Sequence, residues 1–398
     1  MPGVPIARPD AIRRHNLAQL LGQVHRDGEL TRANLTERLS LSRSTIGALV
    51  ADLTELGLLD ERVPTGGARA GRPSHVVAPR PDGPYAIAVD IDVTHLTIAA
   101  VGIGGRVLNR HTLPMGPRPG PADLVARHIV AEAARVGAEV DKRAWPVGIG
   151  ISVPGAVDWH SGTVEFAPNL TWRHEEFGPM VAALAPRGLP VVVGNDADLA
   201  VIAEHLRGSG RGSDDVVYLI GRVGVGAGII VNGAPLRGHD GYAGEVGHNV
   251  VDASGPACHC GKRGCVETYV GENALLELAG HTGPVTAGSL GAVFAAATAG
   301  EHRATAAVRT VAAALGRTIA SLVNVLNPER VLLGGSFAEV FRLANAEMVQ
   351  ALDSHTMGAP RNTVQLCAAR LGNDASLLGA AELAFAAVLA DPLLTRSA

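Results

Sequence analysis

Residues 244–267 read GEVGHNVVDASGPACHCGKRGCVE and hold three of the four cysteines of this 398-residue chain. Cys258, Cys260 and Cys265 lie within eight positions, and His248 precedes the first of them by ten residues. One imidazole and three thiolates are the donor set of a closed tetrahedral zinc site. Because four protein ligands leave no open position, the sequence predicts that this zinc is structural and not catalytic.

Two alternatives bear on this metal site. His259 lies between two of the cysteines and is a rival fourth ligand, although a histidine distant in sequence closes such a loop better from outside. Three unrelated reduced thiols are the other possibility, but their crowding in a loop with Gly261 and Gly264, which allow tight wrapping, argues against it. Cys367 stands alone in a strand-like run and is interpreted as a core residue.

The composition of the whole chain bounds its class. Hydrophobic residues make up 47% of the chain and the net charge is −4, so we expect large cores and no overall basic coat for nucleic acid. A length of 398 residues suggests two or three domains. No uninterrupted apolar run is long enough to span a membrane, and the first 16 residues lack an apolar signal core. We therefore expect no membrane span and a cytoplasmic location.

Charge is unevenly distributed along the chain. Residues 1–80 contain 11 arginines, no lysine and 8 acidic residues, a net charge of +3, whereas the remaining 318 residues contain 23 basic and 30 acidic residues, a net charge of −7. A basic head on an acidic body is typical of a small nucleic-acid-binding module fused to a domain with another ligand. Charge alone does not distinguish this interpretation from chance.

The head has the pattern of a winged helix-turn-helix. Apolar residues at helical spacing over 17–24 predict a first helix. Thr31 is the expected N-cap of a short second helix, and Ser42 or Ser44 is that of a third. Two strands follow, separated by the positive, glycine-rich segment 64–73, which is interpreted as the wing.

This arrangement favours DNA as the ligand of the head. The last helix of the turn enters the major groove by its N-terminal end. That end carries small or cationic hydrogen-bonding residues: Ser42, Arg43, Ser44 and Thr45. In the wing, Arg69 and Arg72 are the candidates for minor-groove contacts. An ordinary three-helix bundle that binds protein is the alternative.

From about residue 84 the pattern alternates between strands and helices. Strand–turn–strand followed by helix occurs twice, which predicts a two-lobed α/β body with a cleft between the lobes. The expected strands are 85–91, 96–101, 147–153, 190–194, 216–220, 228–231 and 331–336, and the expected helices are 121–139, 198–206, 304–325 and 375–391.

Together these motifs resemble the ROK family, named for repressors, open reading frames and kinases. The segments that carry the resemblance are Val153-Pro154-Gly155, APNL at 167–170, GNDA at 194–197, GEVGH at 244–248, CHCGKRGCVE at 258–267 and LGG at 333–335. The resemblance implies an actin-like sugar-kinase body of the ribonuclease H-like type over residues 81–398, preceded by an α+β winged helix-turn-helix domain over residues 1–80. Lobe 1 is expected at about 84–202 plus the C-terminal helix 375–391, and lobe 2 at about 203–374.

The resemblance also implies a sugar site. Asp196 matches the base that deprotonates the sugar hydroxyl in the family's kinases, and here it is expected to be vestigial. The implied sugar-contacting residues are Asn169, Asn195, Asp196, Glu245, His248 and Glu267. A buried polar network that holds the two lobes together is the alternative. His248 is expected to bind zinc with one ring nitrogen and to face the sugar with the other.

The nucleotide side departs from the family's kinase pattern. ROK kinases carry Asp-x-Gly-Gly-Thr-Lys in the first hairpin, where residues 90–95 here read DIDVTH. Their second phosphate loop is Gly-Thr-Gly-Val-Gly-Gly-Gly, where residues 222–228 read RVGVGAG. Asp92 would repel ATP, and Arg222 replaces a glycine that lets the backbone approach a phosphate. The resemblance therefore implies that phosphoryl transfer has been lost.

The function expected from the sequence is that of a sugar-responsive transcriptional regulator, a repressor without enzymatic activity. Its expected partners are operator DNA, a sugar or sugar-phosphate effector, and further copies of the chain in a homodimer or homotetramer. One alternative is a bifunctional ROK sugar kinase that also represses. The other is a regulator controlled by a protein partner and not by a sugar.

Overall fold

The N-terminal segment folds into three helices and a small sheet. The computed structural model describes residues 9–63, 74–116, 120–283, 285–286 and 288–397. The first elements are α1 (Pro9–Asp27), β1 (Leu30–Thr31), α2 (Arg32–Leu39), α3 (Arg43–Glu55), β2 (Leu59–Arg62) and β3 (Val76–Pro79). The antiparallel sheet has the order β1-β3-β2, so the element order matches the predicted winged helix-turn-helix. The tip of the wing, with Arg69 and Arg72, lies outside the described residues.

Side-chain caps begin both helices of the turn. The Thr31 hydroxyl oxygen accepts the backbone N–H of Asn34 at 3.1 Å, and the Asn34 side chain accepts the backbone N–H of Thr31. Ser42 Oγ accepts the backbone N–H of Thr45 at 3.1 Å, so Ser42 and not Ser44 is the N-cap of α3. These caps satisfy backbone donors that a helix leaves unpaired, and they fix where α2 and α3 begin.

The first lobe is built on a five-stranded sheet. Its elements are β4 (Tyr85–Ile91), β5 (His95–Gly102), β6 (Arg106–Pro114), α4 (Ala122–Ala138), β7 (Pro146–Val153), β8 (Ala156–Asp158), β9 (Thr163–Ala167), β10 (Trp172–Glu175), α5 (Phe177–Leu184), β11 (Val191–Asn195) and α6 (Asp196–Arg207). The strand order is β11-β7-β4-β5-β6, and β8, β9 and β10 form a separate small sheet.

The second lobe is built on another five-stranded sheet, of order β14-β13-β12-β15-β16. The remaining elements are β12 (Val216–Gly221), β13 (Val225–Val231), β14 (Ala234–Pro235), α7 (Glu267–Val270), α8 (Glu272–Leu278), α9 (Ser289–Thr298), α10 (His302–Leu326), β15 (Arg330–Gly335), α11 (Ser336–His355), α12 (Gly358–Thr363), β16 (Gln365–Ala368) and α13 (Ala375–Ala390). Short 3-10 turns lie at Pro168–Leu170, Val246–His248, Gly372–Asp374 and Pro392–Ser397.

The two large sheets have the same topology. Each begins with an antiparallel three-stranded meander, β4-β5-β6 or β12-β13-β14, and then adds two strands parallel to the first. The predicted two-lobed α/β architecture is therefore confirmed. The C-terminal helix α13 packs on β4, β7 and α6 of the first lobe, as expected for a helix that returns to it. The residue boundaries given for the domains stay predictions.

Two local features differ from the sequence analysis. Helix α6 begins at Asp196, two residues earlier than predicted, because Asn195 caps it. The glycine-rich stretch expected to lie between two strands is mostly inside β13, and the hairpin turn itself is at 222–224. The first difference places Asp196 at the first position of α6, and the second leaves Arg222 in the hairpin turn.

Two helices are long and apolar enough to cross a membrane, judged by length and composition alone. They are His302–Leu326 and the segment Gly372–Ala390, and 61% of each apolar window is buried inside the protein. The first packs on α11 and the second on α6 and β7. Their apolar character is accounted for by this packing in the cores of the two lobes.

Candidate functional site

A cleft of about 330 Å³ lies between the two lobes. It is lined by the turns after β7 and β12, by the β11–α6 junction and by the segment that precedes the cysteine cluster. All six residues of the implied sugar set line it: Asn169, Asn195, Asp196, Glu245, His248 and Glu267. Its size is at the lower end of small-molecule sites, so the cleft suits a ligand of about monosaccharide size.

The β11–α6 junction forms one wall of the cleft. Asn195 Oδ1 accepts the backbone N–H groups of Ala197 and Asp198 at 2.9 and 3.1 Å, and its Nδ2 donates to the Gly155 carbonyl at 2.9 Å. Asn195 therefore caps the helix and keeps one amide N–H for a ligand. The cap places Asp196 at the first position of α6, where it is 7% exposed.

Buried carboxyl groups are concentrated at this wall. Burial raises the pKa of Asp196 to about 6, although the nearby Arg222 guanidinium lowers it. Burial, followed by the charge of Asp196, raises the pKa of Asp198 to about 8. Asp198 was not among the predicted site residues, and its only signal in the sequence is its place in the first turn of a helix that follows a strand. Burial also raises the pKa of Asp90, which accepts a hydrogen bond from Ser152 Oγ at 2.7 Å.

Arg222 extends from the β12–β13 turn into the cleft. Its Nη1 lies 3.3 Å from Asp92 Oδ2 and 3.8 Å from Asp196 Oδ2, and its Nη2 lies 3.5 Å from Ser376 Oγ. Asp92 belongs to the β4–β5 turn, so this guanidinium connects the first hairpins of the two lobes. Arg222 and Asp92 were predicted to be departures from the phosphate loops, but their pairing with each other was not predicted.

Two further carboxylates face the cleft from the second lobe. Glu267 begins α7, and its Oε2 accepts the backbone N–H of Val225 at 3.1 Å. Burial raises the pKa of Glu245, while the nearby His248 lowers it. Glu245 Oε2 lies 3.9 Å from His248 Nε2. These groups offer hydrogen-bond acceptors to hydroxyl donors of a polyol ligand.

The structure brings the four predicted metal ligands together. The donor atoms of His248, Cys258, Cys260 and Cys265 all lie within 4.8 Å of one another. Cys260 Sγ and Cys265 Sγ are 3.7 Å apart, and His248 Nδ1 is 3.6 Å from Cys258 Sγ. Zinc bonds of about 2.3 Å to sulfur and 2.0 Å to nitrogen give separations of about 3.6–3.8 Å in a tetrahedron. The donors therefore fit zinc in kind, number and spacing.

The rival ligand and the fourth cysteine lie elsewhere. The His259 side chain is 70% exposed, and its Nδ1 is 3.9 Å from Glu267 Oε1, outside the metal cluster. Cys367 is half-buried on β16 and packs against the core of the second lobe. The loop itself requires glycine at 264, because its φ is 67° and a Cβ there would lie 1.5 Å from the Asp252 carbonyl oxygen.

His248 is common to the metal cluster and the cleft. Its Nδ1 faces the thiols, while its Nε2 is the nitrogen near Glu245. A metal on Nδ1 would fix the ring orientation and leave Nε2 to the cleft. This arrangement agrees with the double role expected from the sequence.

Four of the six predicted DNA-binding residues of the head lie at the beginning of α3. Ser42, Arg43 and Ser44 are exposed and Thr45 is half-buried. Ser42 Oγ lies 2.8 Å from both Ser44 Oγ and Thr45 Oγ1. This end of α3 presents hydroxyl groups, a guanidinium and unpaired helix N–H groups, which are favourable to phosphate.

Comparison with known sequences places these features in context. The model of the ROK family matches residues 86–387. A glucokinase from Halalkalibacterium halodurans is 30% identical over 310 residues, which cover 74% of this chain and 92% of that protein. A xylose repressor from Bacillus subtilis is 26% identical over 379 residues, which cover 94% of this chain and 96% of the repressor. The match to the glucokinase covers three quarters of the chain, whereas the match to the repressor covers nearly all of it.

Solved structures divide in the same way. A ROK family transcriptional regulator, a homolog of the E. coli MLC protein, aligns with a TM-score of 0.79 and 25% identity over 96% of this chain and 98% of that one. A ROK family glucokinase from Streptomyces griseus, in complex with glucose and AMPPNP, aligns with a TM-score of 0.63 and 32% identity over 75% of this chain and 98% of that one. These alignments confirm the sugar-kinase fold predicted for the body.

The metal cluster generates a prediction. Purified wild-type protein should contain about one zinc ion per chain, and Cys258→Ser should lose it, because a hydroxyl is a poor replacement for a thiolate. Its thermal midpoint should fall and its sugar response should weaken, since His248 loses its anchor. Zinc content is measured by mass spectrometry. Cys367→Ser, outside the cluster, is the matched control, and full zinc content with an unchanged melting curve in Cys258→Ser would refute the site.

Proposed function

This chain belongs to the ROK family, and we propose that within it the chain is a sugar-responsive transcriptional repressor that binds sugar but not ATP. The observation that carries the proposal is the pairing of Arg222 with Asp92 where the family's kinases have their two phosphate loops. The likeness to a xylose repressor and to a structurally known regulator over nearly the whole chain supports it.

The charges around Arg222 argue against nucleotide binding. A kinase cradles phosphates with glycine-rich loops whose N–H groups point at the anion. Here a triphosphate would have to displace Arg222 from Asp92 and Asp196 and then lie beside those two carboxylates and Asp90. Asp90 and Asp196 match carboxyl groups that the family's kinases also carry, so the added obstacle to a phosphate is Asp92 and its pairing with Arg222. We therefore infer that the chain is not an enzyme.

A bifunctional sugar kinase that also represses is the second candidate. The 30% identity to a glucokinase over three quarters of the chain favours it, because the sugar half of the site is shared. Its requirement is a phosphate-binding surface. Segment 90–95 has no glycine, and segment 222–228 keeps three of the five glycines of the kinase pattern, with Arg222 and Ala227 in place of the other two. Control by a protein partner and not by a sugar is the third candidate.

The sugar half of the cleft supports binding of a polyol. Asp196, Glu245 and Glu267 line the cleft with acceptors for hydroxyl groups, and Asn169 adds an amide. A sugar or sugar phosphate held between the lobes would favour the lobe angle at which it makes the best contacts. Zinc bound by the cysteine cluster would keep His248 in the orientation that reads the sugar.

The head supports operator binding as part of a homodimer or homotetramer in the cytoplasm. Arg43 and the hydroxyl groups around it occupy the helix end that enters the major groove in this class of module. Two heads read half-sites about one helical turn apart, so a small change in lobe angle would alter their spacing and release the DNA. A sugar would therefore act as an inducer.

The sugar site generates a prediction. D-glucose or D-xylose should bind the wild-type protein, and Asp196→Asn should weaken binding about tenfold or more, because it removes a charged acceptor worth about 1.5–3 kcal/mol. Isothermal titration calorimetry measures both dissociation constants. Asp123→Asn, on the exposed face of α4, is the matched control and should bind like wild type. Wild-type affinity in Asp196→Asn would contradict the assignment, and no heat with any sugar of a wider panel would contradict the effector class.

The head generates a second prediction. Arg43→Ala should weaken binding to a DNA fragment selected by the wild-type protein from a random pool by about tenfold or more, which corresponds to one lost base or phosphate contact. Gel shifts at fixed salt measure the affinity. Arg127→Ala, an exposed arginine on α4, is the control for lost positive charge. Failure of the wild-type protein to select any sequence, or equal binding by Arg43→Ala, would overturn the role of α3.

A further inference from the structure

The head and the body are joined by a buried cluster of three charged or titratable side chains. His25 lies near the end of α1, Arg207 is the last residue of α6, and Glu382 lies in the middle of α13. Their side chains are 3%, 12% and 5% exposed. The cluster thus connects a helix of the DNA-binding module to two helices of the first lobe.

Every polar atom of this cluster has a defined partner. Glu382 Oε2 lies 2.7 Å from His25 Nε2, and Glu382 Oε1 accepts from Arg207 Nε at 3.0 Å and Nη2 at 2.5 Å. Arg207 Nη1 donates to the backbone carbonyl of His25 at 2.9 Å. The guanidinium therefore contacts both the carboxylate on α13 and the main chain of α1.

The orientation of the His25 ring follows from a fourth contact. The backbone N–H of Gly104, in the turn between β5 and β6, donates to His25 Nδ1 at 3.1 Å. His25 Nε2 lies 2.7 Å from both Glu382 Oε2 and Arg207 Nη2. With Nδ1 accepting, the proton of a neutral ring is on Nε2, and Glu382 is the acceptor of these two neighbours. Burial by itself would raise the pKa of Glu382, but His25 and Arg207 lower it to about 2, so this carboxylate is charged at every physiological pH.

Helix α6 runs from the cleft to this cluster. Asn195 and Asp196, at its beginning, line the cleft, and Arg207 is at its end, about 17 Å away for a helix of this length. Between the two ends, Leu199 and Ala203 belong to one apolar cluster with residues of α1 and α13: Leu17, Leu20, Leu21, Val24, Leu377 and Phe385. A shift of α6 would therefore change the apolar surface against which α1 packs.

Because the cluster of His25, Arg207 and Glu382 is buried, its contacts are costly to break. Separating Arg207 from Glu382 would leave an uncompensated charge in an apolar interior, which is strongly unfavourable. Among the residues that the structure describes, the other side-chain ion pairs between α1 and the body are Arg14 with Asp391 and Asp27 with Arg211. Both include exposed arginines and are therefore screened by solvent. A displaced α6 would thus carry α1 with it more readily than it would break the buried cluster.

We infer that His25, Arg207 and Glu382 are positioning residues for regulation. Because α6 connects the cleft to these three side chains, they transmit the effect of a ligand in the cleft to the DNA-binding head. This inference rests on the proposed function, since it assumes that a sugar in the cleft changes operator binding. It adds the route of coupling and assigns it to three residues that touch neither sugar nor DNA.

The test compares Glu382→Gln with Asp391→Asn in the full chain. Each exchanges one carboxylate that pairs with α1 for an amide, but only Glu382 is connected to α6. The measured quantity is the ratio of operator dissociation constants with and without saturating D-xylose or D-glucose, whichever binds the wild-type protein. Coupling of this kind typically gives a ratio of about 5–150. We expect Asp391→Asn to keep the wild-type ratio and Glu382→Gln to bring it near unity.

Loss of stability alone would not produce this result. Calorimetry should show that Glu382→Gln binds the sugar within about twofold of wild type, because the cleft is untouched, and the ratio is then a property of coupling. If Glu382→Gln does not fold, Arg207→Lys, which keeps the charge but loses the forked contact with Glu382 and His25, takes its place and should also lower the ratio.

The possible results of this test contradict different claims. A wild-type ratio in Glu382→Gln or Arg207→Lys, in a variant that still binds sugar and DNA, would contradict the coupling role of the cluster and leave the proposed function intact. A wild-type protein that binds sugar and operator but has a ratio of one would overturn both the coupling and the repressor response. A wild-type protein that gives no heat with any sugar would overturn the proposed function itself, and this is recognised by calorimetry without DNA.

Discussion

The contact on which this account depends is the approach of the Arg222 guanidinium to the Asp92 and Asp196 carboxylates across the cleft. A largely buried guanidinium requires acceptors, and buried carboxylates require a cation or hydroxyl donors. In this chain Arg222 pairs with Asp92 and approaches Asp196, so both requirements are met in part without a nucleotide. The cleft thus has one half that holds Arg222 and its neighbouring carboxyl groups, and an open half that is lined by Glu245 and Glu267.

The open half is organised by the cysteine loop. Glu245, His248 and Glu267 flank that loop in sequence, and the tight turn at Gly264 brings its two ends together. A zinc ion with four protein ligands would supply no chemistry of its own, but it would fix the ring of His248 and the start of α7. Metal ligation would then add to the packing of Val246, Val266 and Val270 in the large apolar core of the second lobe.

Local signals in the sequence were sufficient for the three helices of the head, for most strands of the two large sheets and for the metal site. Caps such as Thr31 and Ser42 and the spacing of Cys258 to Cys265 act over a few residues, and the structure brings those residues together as expected. The sugar-lining set required the family resemblance, because its members are spread from Asn169 to Glu267. The small sheet β8–β10 was not identified, nor were helices α5, α7, α8, α9, α11 and α12, and the position of Asp198 in the cleft was missed.

The charge clusters formed by residues far apart in the chain could not be predicted from the sequence. His25 and Glu382 are 357 positions apart, and Arg222 and Asp92 are 130 apart, so only the folded chain shows that they meet. The sequence showed Asp92 and Arg222 as losses from phosphate loops, whereas the structure presents them as partners. This difference matters for the proposed function, because a guanidinium paired with Asp92 would have to be displaced before a phosphate could bind there.

The most direct measurement is therefore phosphoryl transfer. The purified protein, loaded with zinc, is incubated with MgATP and D-glucose or D-xylose, and ADP release is followed with a coupled assay. We predict no sugar-dependent ADP release above the buffer background. Sugar-dependent turnover at about 1 per second or faster, the range of ordinary enzymes, would contradict the account, because it would require a triphosphate beside Arg222 and Asp92.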